Sequence, residues 1–182
     1  PEKDAYDLFI KEFSREDDKI LLVYDSDNPT SRDNIAKISE LTEMMELDVD
    51  GVEEVIVGPL YPQFADSTVT TSIIETQRVL KETPHRIVPP FYNQTSFIDA
   101  YAQTISKSLP EIYDHVLFSY HGLPEQHVKN ADPTGRHCLA QADCCTRTSQ
   151  AHATCYRHQV HQTSVALAHR LELKQDSYTI AY

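Results

Sequence analysis

Phe118-Ser119-Tyr120-His121-Gly122-Leu123-Pro124-Glu125 is the stretch on which the reading of this chain turns. The apolar run Val116-Leu117-Phe118 leading into it predicts a buried strand. Gly122 and Pro124 then stop any regular element. The strand therefore ends by delivering His121 into a turn. In open α/β sheets, ligands bind in the crevice outside the carboxyl ends of the strands. A histidine there can present a neutral nitrogen to a metal or accept a proton near neutral pH. It can equally be a loop histidine that only caps a turn, and the residues alone leave both readings open.

Working outward, the chain alternates short apolar runs with helical stripes. Tyr6, Phe9, Ile10 and Phe13 predict a helix over 4–13, and Ile20-Leu21-Leu22-Val23-Tyr24 a buried parallel strand. Residues 25–29 form a loop by composition. Thr30 or Ser31 caps a helix carrying Ile35, Ile38, Leu41 and Met45. The acidic residues Glu46, Asp48 and Asp50 read as its solvated end rather than as a metal site. Further strands are expected at 54–57 and 86–88, with a helix over 67–80 between them. Pro89 and Pro90 close this half stiffly. Asn93 or Thr95 is expected to cap a helix over 97–109, which leads to the His121 strand. Residues 125–143 show no periodicity. A helix from about 144 to 171, with Tyr156, Val160, Val165 and Leu167 inward, and a strand over 177–182 complete the order. Strand alternating with helix implies an α/β fold with a parallel sheet and right-handed crossovers.

Acidic residues outnumber basic ones 28 to 16 among 182, a formal charge of −12. That balance argues against nonspecific nucleic-acid binding, which needs clustered basic charge. No stretch approaches the roughly 20 apolar residues of a membrane span. No secretory signal is visible, Pro1 suggests a start further upstream, and a cytoplasmic location is the expectation. The four cysteines, Cys138, Cys144, Cys145 and Cys155, all fall in one segment. Cytosolic thiols stay reduced, so the clustering favours a metal or cluster site over disulfides. The spacing is not the paired C-x2-C of common zinc ribbons. Four thiols suit a [2Fe–2S] cluster, with structural zinc and unliganded buried thiols as alternatives. His137, His152, His158 and His161 nearby read as surface residues rather than as further ligands.

Ser119-Tyr120-His121-Gly122-Leu123-Pro124-Glu125 resembles the signature of ferrochelatase, the enzyme that inserts Fe(II) into a porphyrin. Gly58-Pro59-Leu60-Tyr61-Pro62-Gln63-Phe64, with Ser67-Thr68 and Thr70-Thr71-Ser72 behind it, is similar to a second part of that family. Residues 176–182 resemble the strand before the family's Gln-Ser-Arg segment. The resemblance spans roughly 20–182. It implies two Rossmann-like halves with parallel sheets and a porphyrin cleft between them. Residues 1–90 would be part of the first half, and 91–182 part of the second, with a cysteine-bearing insertion at about 125–156. His121 would be the catalytic residue, as proton acceptor, ligand of the Fe(II) substrate, or both. Tyr61, Gln63 and Tyr120 would bind the porphyrin. Cys138, Cys144, Cys145 and Cys155 resemble the cysteines of an insertion in some bacterial ferrochelatases that carries a [2Fe–2S] cluster.

The family's partner carboxylate lies in a later segment, so these 182 residues acting alone are expected to insert no metal. Asp25 stands where the family usually has an arginine, which puts a propionate contact there in doubt. The alternatives are a non-catalytic haem- or iron–sulfur-binding module, or a related chelatase using another metal or tetrapyrrole. Protoporphyrin and coproporphyrin are not distinguished, and peripheral membrane contact stays open because porphyrins are lipophilic.

Overall fold

The structure is a computed structural model and describes residues 55–182. The helices expected over 4–13 and from residue 30, the strand at 20–24, the loop with Asp25 and the acidic stretch 46–50 lie outside the described residues. Contacts divide the described chain into two units. Val55–Pro59 and Thr71–Pro89 belong to one, and Leu60–Thr70 and Pro90–Tyr182 to the other.

In the first unit, β1 (Val55–Val57) pairs in parallel with β2 (His85–Ile87), Val55 opposite His85 and Val57 opposite Ile87. The chain enters helix α1 (Thr71–Leu80) from a π-helical turn, Asp66–Thr70, where a regular helix was expected. Thr68, Val69 and Thr70 are β-branched and poor in helix propensity.

In the second unit, helix α2 (Thr95–Ser108) leads to strand β3 (Val116–Ser119). Helix α4 (Tyr156–Arg170) leads back to strand β4 (Tyr178–Ala181), parallel to β3. Phe118 lies opposite Ile180, and the Tyr120 N–H carries the ladder one step further to the Ala181 carbonyl at 2.9 Å. Both described sheets are parallel, as strands alternating with helices require. Ile98, Ala102, Phe118, Leu167 and Ala168 form the core between α2, α4 and β3, and Tyr178 meets Phe118 edge-on at 5.7 Å.

Several local expectations fail for physical reasons. β3 is not buried on both faces: Phe118 is buried while Leu117 is 61% exposed. Among the described residues the helices cover one face of this two-stranded sheet, so period two replaces the continuous burial. α2 begins at Thr95, and Gln94, not Asn93 or Thr95, holds the cap position without a side-chain bond. The 125–143 segment contains a short helix, α3 (Glu125–Asn130), too short to reveal a period. The helix expected from about residue 144 begins only at Tyr156. Cys155 is extended there and caps α4 through its sulfur, which accepts the His158 N–H at 3.5 Å.

The buried face of α4 also differs from expectation. Val160 and Leu167 point inward, but Val165 is 40% exposed. Ala168 joins Val160 and Leu167. Gln159, Thr163 and Ser164 take the remaining inner positions at helical spacing. Their burial is tolerated because each is hydrogen-bonded. Gln159 Nε2 donates to Ala153 O at 2.9 Å, Thr163 Oγ1 to Tyr92 O at 2.9 Å, and Ser164 Oγ to the Tyr120 hydroxyl at 2.9 Å. Leu167→Ala should therefore cost about 2–5 kcal/mol of stability in denaturant titration. Val165→Ala should cost less than about 0.5 kcal/mol. Equal losses would contradict this helix face.

Candidate functional site

β3 ends at Ser119, and His121 follows at the carboxyl end of the strand with its side chain exposed. The imidazole has no hydrogen bond or ion pair among the described residues, so both ring nitrogens are open to an incoming group. The backbone is held instead. The Tyr156 hydroxyl donates to the His121 carbonyl at 2.9 Å. Gly122 packs against the main chain of Tyr182, where a Cβ would lie 3.3 Å from the Tyr182 carbonyl carbon. Arg157 Nη2 donates to the Tyr182 hydroxyl at 3.0 Å, with the guanidinium 4.5 Å from that ring's centre. Arg157 Nε and His161 Nδ1 are buried without partners among the described residues.

Tyr61 and Gln63 lie in the same unit as His121, on the 60–70 segment. Gln63 Nε2 donates to Thr163 Oγ1 at 3.0 Å, and the Phe64 N–H to Gln159 Oε1 at 2.7 Å. Two side chains of α4 thus anchor this segment. Phe64–Ser67 share a crevice with Leu123 and Tyr156, which brings the two motif stretches side by side. Burial raises the Tyr61 phenol above its ordinary value. Tyr120 turns toward α4, and its phenol is also raised, by burial ahead of the opposing Ser164 hydrogen bond.

The four cysteines are free thiols, with Cys138, Cys144 and Cys155 buried and Cys145 half-buried. Cys138 and Cys155 join Val128 and Ala151 in one small core, with Leu123 and Leu139 packed against it. Leu139 has φ 62°, a left-handed conformation costly for a branched side chain, which stores strain beside Cys138. The Cys145 thiol, with the N–H groups of His158 and Arg157 and the Cys138 thiol, outweighs burial and lowers Cys155 to about 5. Cys145 is correspondingly raised. Burial, then the negative Cys155 nearby, pushes Cys138 up to about 12.

Two supports of this cluster were not legible as such in the sequence. Asp132 Oδ1 accepts the Thr134 N–H at 2.8 Å and its hydroxyl at 2.7 Å, while Oδ2 accepts the His137 N–H at 2.7 Å and the Cys138 N–H at 2.9 Å. Burial opposes ionisation, but these four bonds prevail and hold the carboxyl well below the usual range. Asp132-Pro133-Thr134-Gly135 is a turn signature that could have pointed to it. The second support is histidine. His137 Nε2 and His152 Nε2 meet the Cys144 carbonyl at 2.7 and 3.0 Å, and His158 Nδ1 meets the Cys145 carbonyl at 2.7 Å. His152 and His158 stack with ring centres 3.6 Å apart. These three are half-buried struts of the Cys144–Cys145 backbone rather than the surface residues expected. Burial, ahead of its carbonyl bond, lowers His158 and favours the neutral ring.

Asp132→Asn should loosen this loop, because an amide nitrogen cannot accept two of the four bonds. Hydrogen exchange at the His137 and Cys138 amides should accelerate by about tenfold or more. Since the folded carboxyl is depressed, its contribution is complete above the unfolded value near 4. It fades as pH falls below that toward the folded value. Protection unchanged in the variant at pH 7 would refute the role.

Among the described residues, no group of three or more His, Cys, Asp or Glu is gathered in a way that could hold a metal ion, and no helix is long and apolar enough to cross a membrane.

The family model described as Ferrochelatase matches residues 36–182. The chain is 42% identical over 138 residues to a ferrochelatase of Azotobacter vinelandii (strain DJ / ATCC BAA-1303), covering 73% of this chain and 41% of that protein. It is 40% identical over 145 residues to that of Pseudomonas syringae pv. tomato (strain ATCC BAA-871 / DC3000), covering 78% and 43%. For that of Stutzerimonas stutzeri (strain A1501) the values are 44% over 137 residues, 72% and 40%. The chain therefore spans about two fifths of the length of the curated relatives it matches. No solved structure matches it.

Proposed function

The chain belongs to the ferrochelatase family, and we propose on that premise that the protein carrying it inserts Fe(II) into a porphyrin. The two pyrrole protons leave, and the four ring nitrogens take the metal to give haem. The observation that carries this reading is that the family match runs through both motif stretches, 58–72 and 119–125. His121, exposed after β3 and without a partner among the described residues, is the group we assign to proton acceptance and to holding Fe(II) as it sheds water. Imidazole suits both tasks. Tyr61, Gln63 and Tyr120 are assigned to the porphyrin, with Tyr61 offering a flat apolar face and a polar tip. Residues 1–90 and 91–182 are read as parts of two Rossmann-like halves.

Cys138, Cys144, Cys145 and Cys155 are assigned as the ligands of one [2Fe–2S] cluster. What supports this is the donor set: four free thiols in one segment, three of them buried. A cluster of this kind shares its four thiolates between two irons, whereas a zinc site wraps them around one ion. When bound, the cluster would supply structural cross-linking or a redox-sensitive group. The chain's own contribution is to bury the thiols, to set their backbone with Asp132 and the histidines, and to fix Cys155 at the start of α4. Reduced thiols fit a cytoplasmic setting, with peripheral membrane contact to hand over a lipophilic product.

The test is anaerobic incubation of the protein with Fe(II) and porphyrin, following loss of porphyrin fluorescence and gain of haem absorbance. Turnover is expected. Porphyrin or haem bound stoichiometrically without turnover would replace this reading with a binding module.

A further inference from the structure

Helix α4 begins at the cysteine site and ends its first turn on the His121 loop. Cys155 caps it, Tyr156 reaches the His121 carbonyl at 2.9 Å, and Arg157 reaches the Tyr182 hydroxyl at 3.0 Å. Tyr182 in turn backs Gly122, with 3.3 Å between the Tyr182 carbonyl carbon and a Cβ placed there. The loop after β3 is thus gripped from two sides by consecutive residues of one helix. The imidazole of His121 itself makes no hydrogen bond or ion pair among the described residues. Its placement therefore depends on how firmly its own backbone is held, and among the described residues the Tyr156 hydroxyl is the side-chain bond to that residue.

We propose that Tyr156 is a positioning residue for His121, fixing the carbonyl of that residue so that the imidazole meets the metal in one orientation, while Arg157 and Tyr182 brace the following glycine. The proposal rests on the assignment of His121 to metal insertion. It adds a tyrosine whose hydroxyl is engaged by a main-chain carbonyl. Small misplacements of a reacting group lower turnover without changing the pocket that binds the substrate. The effect should therefore fall on kcat and spare KM for porphyrin.

The experiment compares Tyr156→Phe with the parent protein and with His121→Ala, all loaded with the same porphyrin and Fe(II). Tyr156→Phe removes one hydroxyl and keeps the ring. We expect kcat to fall about threefold to tenfold, the worth of one hydrogen bond, with KM for porphyrin within about twofold and iron and sulfide content unchanged. Amide exchange at Gly122 and Leu123 should quicken, while the rest of α4 keeps its protection. Gly122→Ala, which must shift the Tyr182 main chain by a few tenths of an ångström, should lower kcat in the same way and decides the matter if Tyr156→Phe does not fold. Unchanged kcat in Tyr156→Phe, beside an inactive His121→Ala, overturns the positioning role alone. A rise in KM with kcat kept makes Tyr156 a pocket wall and also overturns it. Full activity of His121→Ala overturns the assignment beneath both.

Discussion

His121→Ala, made in the protein that carries these residues, should lower metal insertion by about 10²–10⁴-fold and leave porphyrin binding intact. That range is what general-base catalysis alone contributes. Loss of a ligand to Fe(II) adds to it. Folding should be unaffected, because the imidazole is exposed and makes no bond among the described residues, and surface changes of this kind usually stay within about 0.5 kcal/mol. The backbone bonds that shape the loop, from Tyr156 to the His121 carbonyl and from the Tyr120 N–H to Ala181, do not involve the deleted atoms. Porphyrin affinity, followed by fluorescence quenching, should change less than about threefold, since the imidazole is assigned to chemistry rather than to pocket area. Near-normal turnover would remove His121 from the reaction. Lost binding together with lost turnover would make it a pocket residue.

The second large effect concerns the cysteines. Purified without oxygen, the protein should be reddish-brown and hold roughly two irons and two inorganic sulfides per chain. Single Cys→Ser changes at 138, 144, 145 and 155 should each abolish the colour. Cys155→Ser is the most informative of the four. Serine is among the good helix caps, so α4 should still begin at Tyr156 and the variant isolates the ligand role. Acid should release the iron, because only deprotonated thiols bind it. In the metal-free protein, Cys155 falls to about 5 while Cys138 is pushed up to about 12, so loading must displace the proton of Cys138. A colourless protein with one zinc, or colour that survives the loss of any one cysteine, would sink the cluster assignment and leave the chelatase reading standing.

The sequence by itself determined the order of the strands and the longer helices from residue 55 onward. It also placed the turn after β3 and the concentration of thiols between 138 and 155. Those features are local: runs of β-branched residues, proline and glycine stops, and spacing along the chain, all readable without neighbours. It did not determine where α4 begins or which face it buries. Tertiary structure decided both. Gln159, Thr163 and Ser164 look like solvent-facing residues until their partners, Ala153, Tyr92 and Tyr120, are brought against them. A polar side chain may be buried wherever such a partner waits, and most of those partners are distant in sequence. The same reason hid the histidines that hold Cys144 and Cys145, and the Tyr156 hydroxyl on the His121 carbonyl, 35 positions away. Hydrophobic periodicity records what leaves water; it carries no record of which donor will meet which acceptor once the chain has closed.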